Sequence, residues 1–172
     1  MEKVLPGLAM LAVVAVVFVL IWIGWRGRLR RQSGIEQLPA VPDVLGQPLI
    51  SADGQYVAST TAGDWLDRIA VHGLGIRTNA ELSIHPEGVL LDRSGAQPLF
   101  IPAASLAGVR QDSGMAGKFV EKDGLLILSW TLGTHALDTG FRTRRAADKP
   151  AVLQQLQEMI SPGPQAGAHS GK

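Results

Sequence analysis

A mainly β domain of seven short strands, closed by one C-terminal α-helix and carried behind a single N-terminal transmembrane helix, is the architecture this sequence predicts. Three observations lead there. Residues 4–25 hold no charged side chain and are apolar all round. Residues 55–142 break into short apolar and β-branched runs, punctuated by Asp-Gly, Pro-Glu-Gly and Ser-Gly signals, the pattern of a small β domain. Residues 148–160 then switch to a helical period.

The apolar stretch comes first. At about 1.5 Å per residue, some twenty residues reach about 30 Å, the thickness of a bilayer's hydrocarbon core. Thirteen residues of 4–25 are Leu, Ile, Val or Phe, and together they favour insertion by about 4–8 kcal/mol. Pro6 and Gly7 fall in the first turn, where a missing backbone bond costs little. The run is longer than a signal peptide's apolar region, and no small-x-small cleavage site follows it. Before the span, Glu2 and Lys3 cancel; after it come Arg26, Arg28, Arg30 and Arg31. Positive flanks stay in the cytoplasm, so residues 1–3 should face out and the rest in, from the plasma membrane. Trp22 and Trp25 stand where indole rings suit the headgroup region, and the arginines can rest on anionic lipid.

Residues 26–48 combine this basic flank with a proline-rich stretch that favours an extended spacer. Residues 49–160 are long enough for one compact domain. Residues 161–172 hold two prolines, three glycines and no large apolar side chain, a tail expected to be disordered.

The net charge of +1 hides a partition. Residues 1–48 carry five basic and three acidic side chains, residues 49–160 ten basic and twelve acidic. The domain therefore lacks the basic face that nucleic acid requires. With no cysteine in the chain, disulfides, thiolate nucleophiles and Cys-type zinc sites are excluded.

Within the domain, Asp53-Gly54 reads as a turn leading into a first strand at 55–60. At 63–70 the period changes: Leu66, Ile69 and Ala70 fall at helical spacing and Asp64 is a fair N-cap, which predicts one or two helical turns. His72-Gly73-Leu74-Gly75 ends them. Residues 80–84 and 89–92 form a hairpin about His85-Pro86-Glu87-Gly88. A strand at 99–102, a helical turn at 103–106 and a strand at 107–111 follow. Residues 114–123 read as a polar, mobile loop. Residues 125–131 are the strongest strand, and 134–142 return from Gly133. The helix at 148–160 has Asp148 as its cap, Pro150 in its first turn and a stripe of Val152, Leu153, Leu156, Met159 and Ile160. That stripe needs a surface to cover, such as an open barrel end.

Seven strands in meander order followed by an amphipathic helix resemble the pleckstrin-homology-like (PH-like) barrel, and more narrowly the membrane-anchored PH-like proteins of actinobacteria. The residues that carry the resemblance are Gly63-Asp64-Trp65-Leu66-Asp67-Arg68-Ile69, Gly88-Val89-Leu90-Leu91-Asp92-Arg93 leading into Phe100-Ile101-Pro102, and Trp130-Thr131-Leu132-Gly133 leading into Leu137-Asp138-Thr139-Gly140-Phe141-Arg142. The resemblance spans residues 1–160 and implies a fold more firmly than an activity.

Catalytic and cofactor signals are weak. Residues 112–119 imitate a phosphate-binding loop but have Asp112 and Phe119 where Gly and Ser or Thr are needed. His72, His85, His135 and His169 share no metal-ligand spacing and read as solvated. No Gly-x-Ser-x-Gly elbow occurs, and capping or solvation accounts for Asp64 and Asp67. No cofactor and no metal are expected. Trp130 belongs in the core. Trp65, beside two acids, is a candidate interface anchor. Arg142, Arg144 and Arg145 cluster where a phosphate or another anion could bind, although residues 55–60 carry none of the basic side chains with which some pleckstrin-homology domains grip inositol phosphates. The expected function is thus a non-enzymatic, membrane-anchored cytoplasmic module that binds a protein or a lipid. Its alternatives are an accessory subunit of an envelope transport or export system, or an enzyme.

Overall fold

The structure is a computed structural model and describes residues 4–32 and 34–161; the side chains of 4–7, 9, 25, 28–31 and 118 lie outside that description. The chain divides into two compact units, Met1–Gly34 and Ile35–Lys172. In the first, helix α1 (Val4–Arg31) runs for 28 residues, about 42 Å at the α-helical rise. Its residues 10–24 are all exposed. Among the described residues no helix is long and apolar enough to cross a membrane. Residues 1–3 and 162–172, with the expected outer N-terminus and most of the expected tail, lie outside the described residues.

The second unit is a seven-stranded antiparallel sheet in the order β4-β3-β2-β1-β9-β8-β5. The strands are β1 (Ile50–Thr61), β2 (Thr78–His85), β3 (Gly88–Arg93), β4 (Leu99–Pro102), β5 (Leu106–Asp112), β8 (Leu125–Leu132) and β9 (His135–Thr143); a separate hairpin pairs β6 (Gly114–Met115) with β7 (Lys118–Phe119). All seven predicted strands are present. The long β1 is the hinge of the sheet: its first half pairs with β2 and its second with β9. A bulge between Tyr56 and Ala58 adds Val57 and reverses which side chains face inward, as an extra residue in a period-2 strand must.

Strand β1 runs straight through the predicted Asp53-Gly54 turn. Gly54 is needed for room rather than for turning: a Cβ there would meet the Arg142 carbonyl oxygen and the Phe141 ring. The predicted helix at 63–70 is a series of turns. Asp64 does accept from the backbone N–H groups of Leu66 (3.0 Å) and Asp67 (3.2 Å). The chain is then drawn back along β1, through Thr61 N–H to Asp67 O, Ile69 N–H to Ser59 O and a bridge between Thr60 and Arg68. Strand-edge pairing overrides a marginal helical period.

The inner face of the sheet buries Leu82, Leu91, Ile101, Leu126, Leu128, Trp130 and Phe141. Helix α2 (Lys149–Ile160) packs against β5 and β1 and adds Val152 and Leu156, both fully buried, to that core. This is the docking its apolar stripe predicts. Asp148 stands at its N-cap position, as expected, but is in the helical conformation and makes no side-chain capping bond; its carboxylate accepts from Arg145 Nε at 2.9 Å instead. The proline-rich segment is held to the domain at both ends. Ile35 is buried and Leu38 packs on the core, and Leu49 N–H donates to Ile84 O.

Two polar groups organise the core. Trp130 Nε1 donates to Thr139 Oγ1 (2.8 Å), which lies 2.7 Å from Ser59 Oγ; Ser59 Oγ lies 2.9 Å from the Tyr56 hydroxyl, which donates to Leu74 O (2.7 Å). Arg93, 2 % exposed, lies over the Tyr56 ring (4.8 Å to its centroid) and donates to the carbonyls of Gln97, Gly73 and His72. His72 and Gly73 present those carbonyls from a tight turn in which both have positive φ.

Candidate binding surface

The segment read as a mobile loop folds into the β6–β7 hairpin. Ala116 and Gly117, both at positive φ, supply the turn between paired Met115 and Lys118, which is the geometry of a two-residue hairpin loop. Met115, 2 % exposed, packs on the outer face of the sheet with Val57, Leu125 and Ile127, over Gly140, where a Cβ would collide with its sulfur. Ala116 N–H donates to Trp65 O at 2.8 Å and Arg68 Nη2 donates to Ala116 O at 3.1 Å. The hairpin is therefore stitched to the turns at 63–70.

This stitching brings two aromatic rings together in the open. Trp65 is 41 % exposed and Phe119 77 %. Their centroids lie 5.7 Å apart with planes tilted 54°, a favourable aromatic geometry. Leu66, 58 % exposed, continues the patch. The rings rim a cleft of about 350 Å³ walled by Gly63, Arg110, Asp112, Ser113, Gly114 and Asp138. Trp65 was visible in the sequence as a candidate; Phe119 was not, because it lay in a polar glycine-containing run, and strand pairing is what turns it outward.

Beneath the rings lies an ion pair. Arg110 Nη2 donates to Asp138 Oδ2 (2.9 Å) and Nη1 to Ser129 Oγ (3.1 Å), Ser129 Oγ donates to Asp138 Oδ1 (2.6 Å), and Gly63 N–H adds a fourth bond (3.3 Å). Burial pushes the Asp138 carboxyl up, but the bonds from Arg110 and Ser129, the Arg110 charge and the Gly63 N–H outweigh it and hold the group below the ordinary carboxylate value. A carboxylate so held is a poor proton acceptor, and Ser129 already spends its proton on it. The arrangement is a hydrogen-bonded, satisfied floor for the cleft.

The predicted arginine cluster divides. Arg142 and Arg144 line a second, polar cleft of about 430 Å³ with Gln55, Asn79, Glu121 and Lys149. Arg142 holds Glu121 through Nη2 (2.7 Å) and Nε (3.3 Å), and Lys149 Nζ donates to Asp123 O (2.7 Å). Arg145 is not among the lining residues and pairs with Asp148. Lys149 and Glu121 escaped notice because register and loop closure, not sequence proximity, place them there.

The histidines separate as well. His85 is 6 % exposed rather than solvated. The Gly46 carbonyl, which can only accept, takes a hydrogen bond from Nδ1–H (2.7 Å), and Nε2 lies 3.0 Å from Ser83 Oγ. His72 Nε2 faces Ile35 O at 3.3 Å. Among the described residues no group of three His, Asp or Glu side chains could hold a metal ion; His169 lies outside them. At the expected membrane flank, in the C-terminal part of α1, Arg26 stacks on Trp22 at 4.5 Å, while the side chains of Trp25, Arg28, Arg30 and Arg31 are outside the description.

A family model described as bacterial PH domain-like matches residues 35–157. No curated protein matches the sequence. Among solved structures, the chain is similar to one from the 8S snRNP assembly intermediate (8 % identity, 78 % of this chain and 97 % of that one, TM-score 0.47). It is also similar to the mouse APBB2 C-terminal phosphotyrosine interaction domain (9 % identity, 77 % and 100 %, TM-score 0.46). A third likeness is to Vav1 bound by an allosteric inhibitor (21 % identity, 80 % and 32 %, TM-score 0.40).

Proposed function

The chain belongs to the bacterial PH domain-like family, and from that premise we propose that it is a non-enzymatic binding module, anchored by α1 in the plasma membrane, that offers the Trp65–Phe119 surface to a protein partner. The observation that carries the reading is the exposed aromatic pair. Phe119 keeps 77 % of its surface in water at the open end of a hairpin whose other strand is pinned by buried Met115. An apolar side chain held outward on a fixed support is the anatomy of an interface anchor. The Arg110–Asp138 pair beneath it offers polar contacts that need no rearrangement.

The anchor rests on residues 4–25, uncharged and apolar, within a 28-residue helix. The arginines that follow favour a cytoplasmic domain. In this reading the protein is of the membrane-tethered kind that the sequence resembles among actinobacteria.

Full-length protein purified from its own membranes tests the partner surface. Trp65→Ala and Phe119→Ala should each weaken partner retention by about thirtyfold or more, the effect of losing an interface hot spot. The unfolding free energy should change by no more than about 1.5 kcal/mol, the worth of one aromatic pair. Unchanged retention in both variants would refute the proposal.

A further inference from the structure

We propose that the cleft between β9 and the start of α2 is a phosphate-binding site, with Glu121 occupying the phosphate's place in the free protein. The proposal uses residues other than the aromatic pair and stands independently of the partner reading.

The sheet register builds the site. Gln55 pairs with Asn79 on one side and with Arg142 on the other, which lines up two side-chain amides and a guanidinium across three strands on one face. Arg144 lies two residues beyond Arg142 and so projects to the same side; Thr143 between them turns inward and is buried. Lys149 closes the far wall. Three cations and two amides thus converge on a cleft that contains one acid.

The state of each cation points to the ligand. Arg144 is exposed and makes no side-chain hydrogen bond or ion pair among the described residues. Lys149 spends one of its three donors on Asp123 O. Arg142 is engaged with Glu121 through two nitrogens, the fork geometry that a guanidinium uses equally for carboxylate and phosphate. Glu121 is 58 % exposed in its side chain, so water screens that pair and an incoming dianion can displace it. With Glu121 displaced, the three cations Arg142, Arg144 and Lys149 face the ligand, which suits the dianion of a phosphate monoester. The phosphate could belong to a lipid headgroup or to a soluble compound; the chemistry that recognises it is shared.

The test uses the full chain in a nonionic detergent with two probes, inorganic phosphate and short-chain phosphatidic acid, and sulfate for comparison. Arg144→Gln should weaken binding by about tenfold or more, the loss of a charge-assisted hydrogen bond. Glu121→Gln should tighten it, and Arg145→Gln, outside the cleft, should leave it unchanged. Binding of both probes identifies a free phosphate ligand, and binding of phosphatidic acid alone identifies a lipid headgroup. The proposal is overturned if neither probe binds, if sulfate binds as tightly, if Arg144→Gln and Arg145→Gln have equal effects, or if Glu121→Gln weakens binding.

Discussion

Tyr56 closes a hydrogen-bond chain whose direction is fixed at both ends. The indole N–H of Trp130 can only donate and the carbonyl of Leu74 can only accept. Thr139, Ser59 and Tyr56 must therefore each accept from the Trp130 side and donate toward Leu74, an alignment in which every bond polarises the next. Burial pushes the Tyr56 phenol up to about 12 from its ordinary 10.0, against the opposing pull of the Ser59 bond and the Arg93 charge. The raised value makes this contribution to stability complete below pH 10.0 and lost as the pH climbs toward 12. Because the chain has one tyrosine, tyrosinate absorbance reports this group alone. The folded protein should titrate with a midpoint near 12, and a midpoint near 10.0 would show the phenol in water. The sequence marks Tyr56 as a strand residue and Trp130 as core, since both are apolar-bodied residues in β-branched or apolar runs. It could not show the chain that joins them, whose two hydroxyl links, Ser59 and Thr139, are 80 residues apart. Arg93 was equally hidden: a basic residue at a strand end reads as solvated until the carbonyls that receive it are in place.

The regular elements were legible wherever periodicity and burial agree. Strand β8 alternates so that Leu126, Leu128 and Trp130 enter the inner core while Leu125 and Ile127 enter the outer one, and both sets are apolar. Helix α2 was legible for the same reason. At 12 residues it would be marginal alone and draws its stability from docking. Leu156→Ala should lower the unfolding free energy by about 2–5 kcal/mol, as for other fully buried leucines, and Leu156→Asp should prevent folding. A urea-melt change below about 0.5 kcal/mol, typical of surface sites, would mean the helix is not docked. The misread elements share a cause. At Asp53-Gly54, at 63–70 and at 114–123, local residue chemistry favours a turn, a helix or a loop. Contacts distant in sequence decide otherwise: the Phe141 ring over Gly54, the β1 edge beside Ile69, and the Val57–Leu125–Ile127 pocket beneath Met115.

At the scale of the molecule, a domain starting at Ile35 follows an apolar helix with an arginine-rich end. Charge placement predicts that the domain lies on the cytoplasmic side. The absence of native cysteine makes this directly measurable: a single cysteine at exposed Asp92 should resist a membrane-impermeant maleimide in intact cells and react after lysis. Labelling before lysis would invert the topology. The proposed binding role rests on the outward-facing hairpin. A photoreactive phenylalanine analogue at position 119, in the full-length protein in its own membrane, tests it most directly. The account predicts a discrete crosslinked adduct at 119 that Trp65→Ala abolishes and that the same probe at position 92 does not form. No adduct at 119, or the same adduct from both positions, would contradict it.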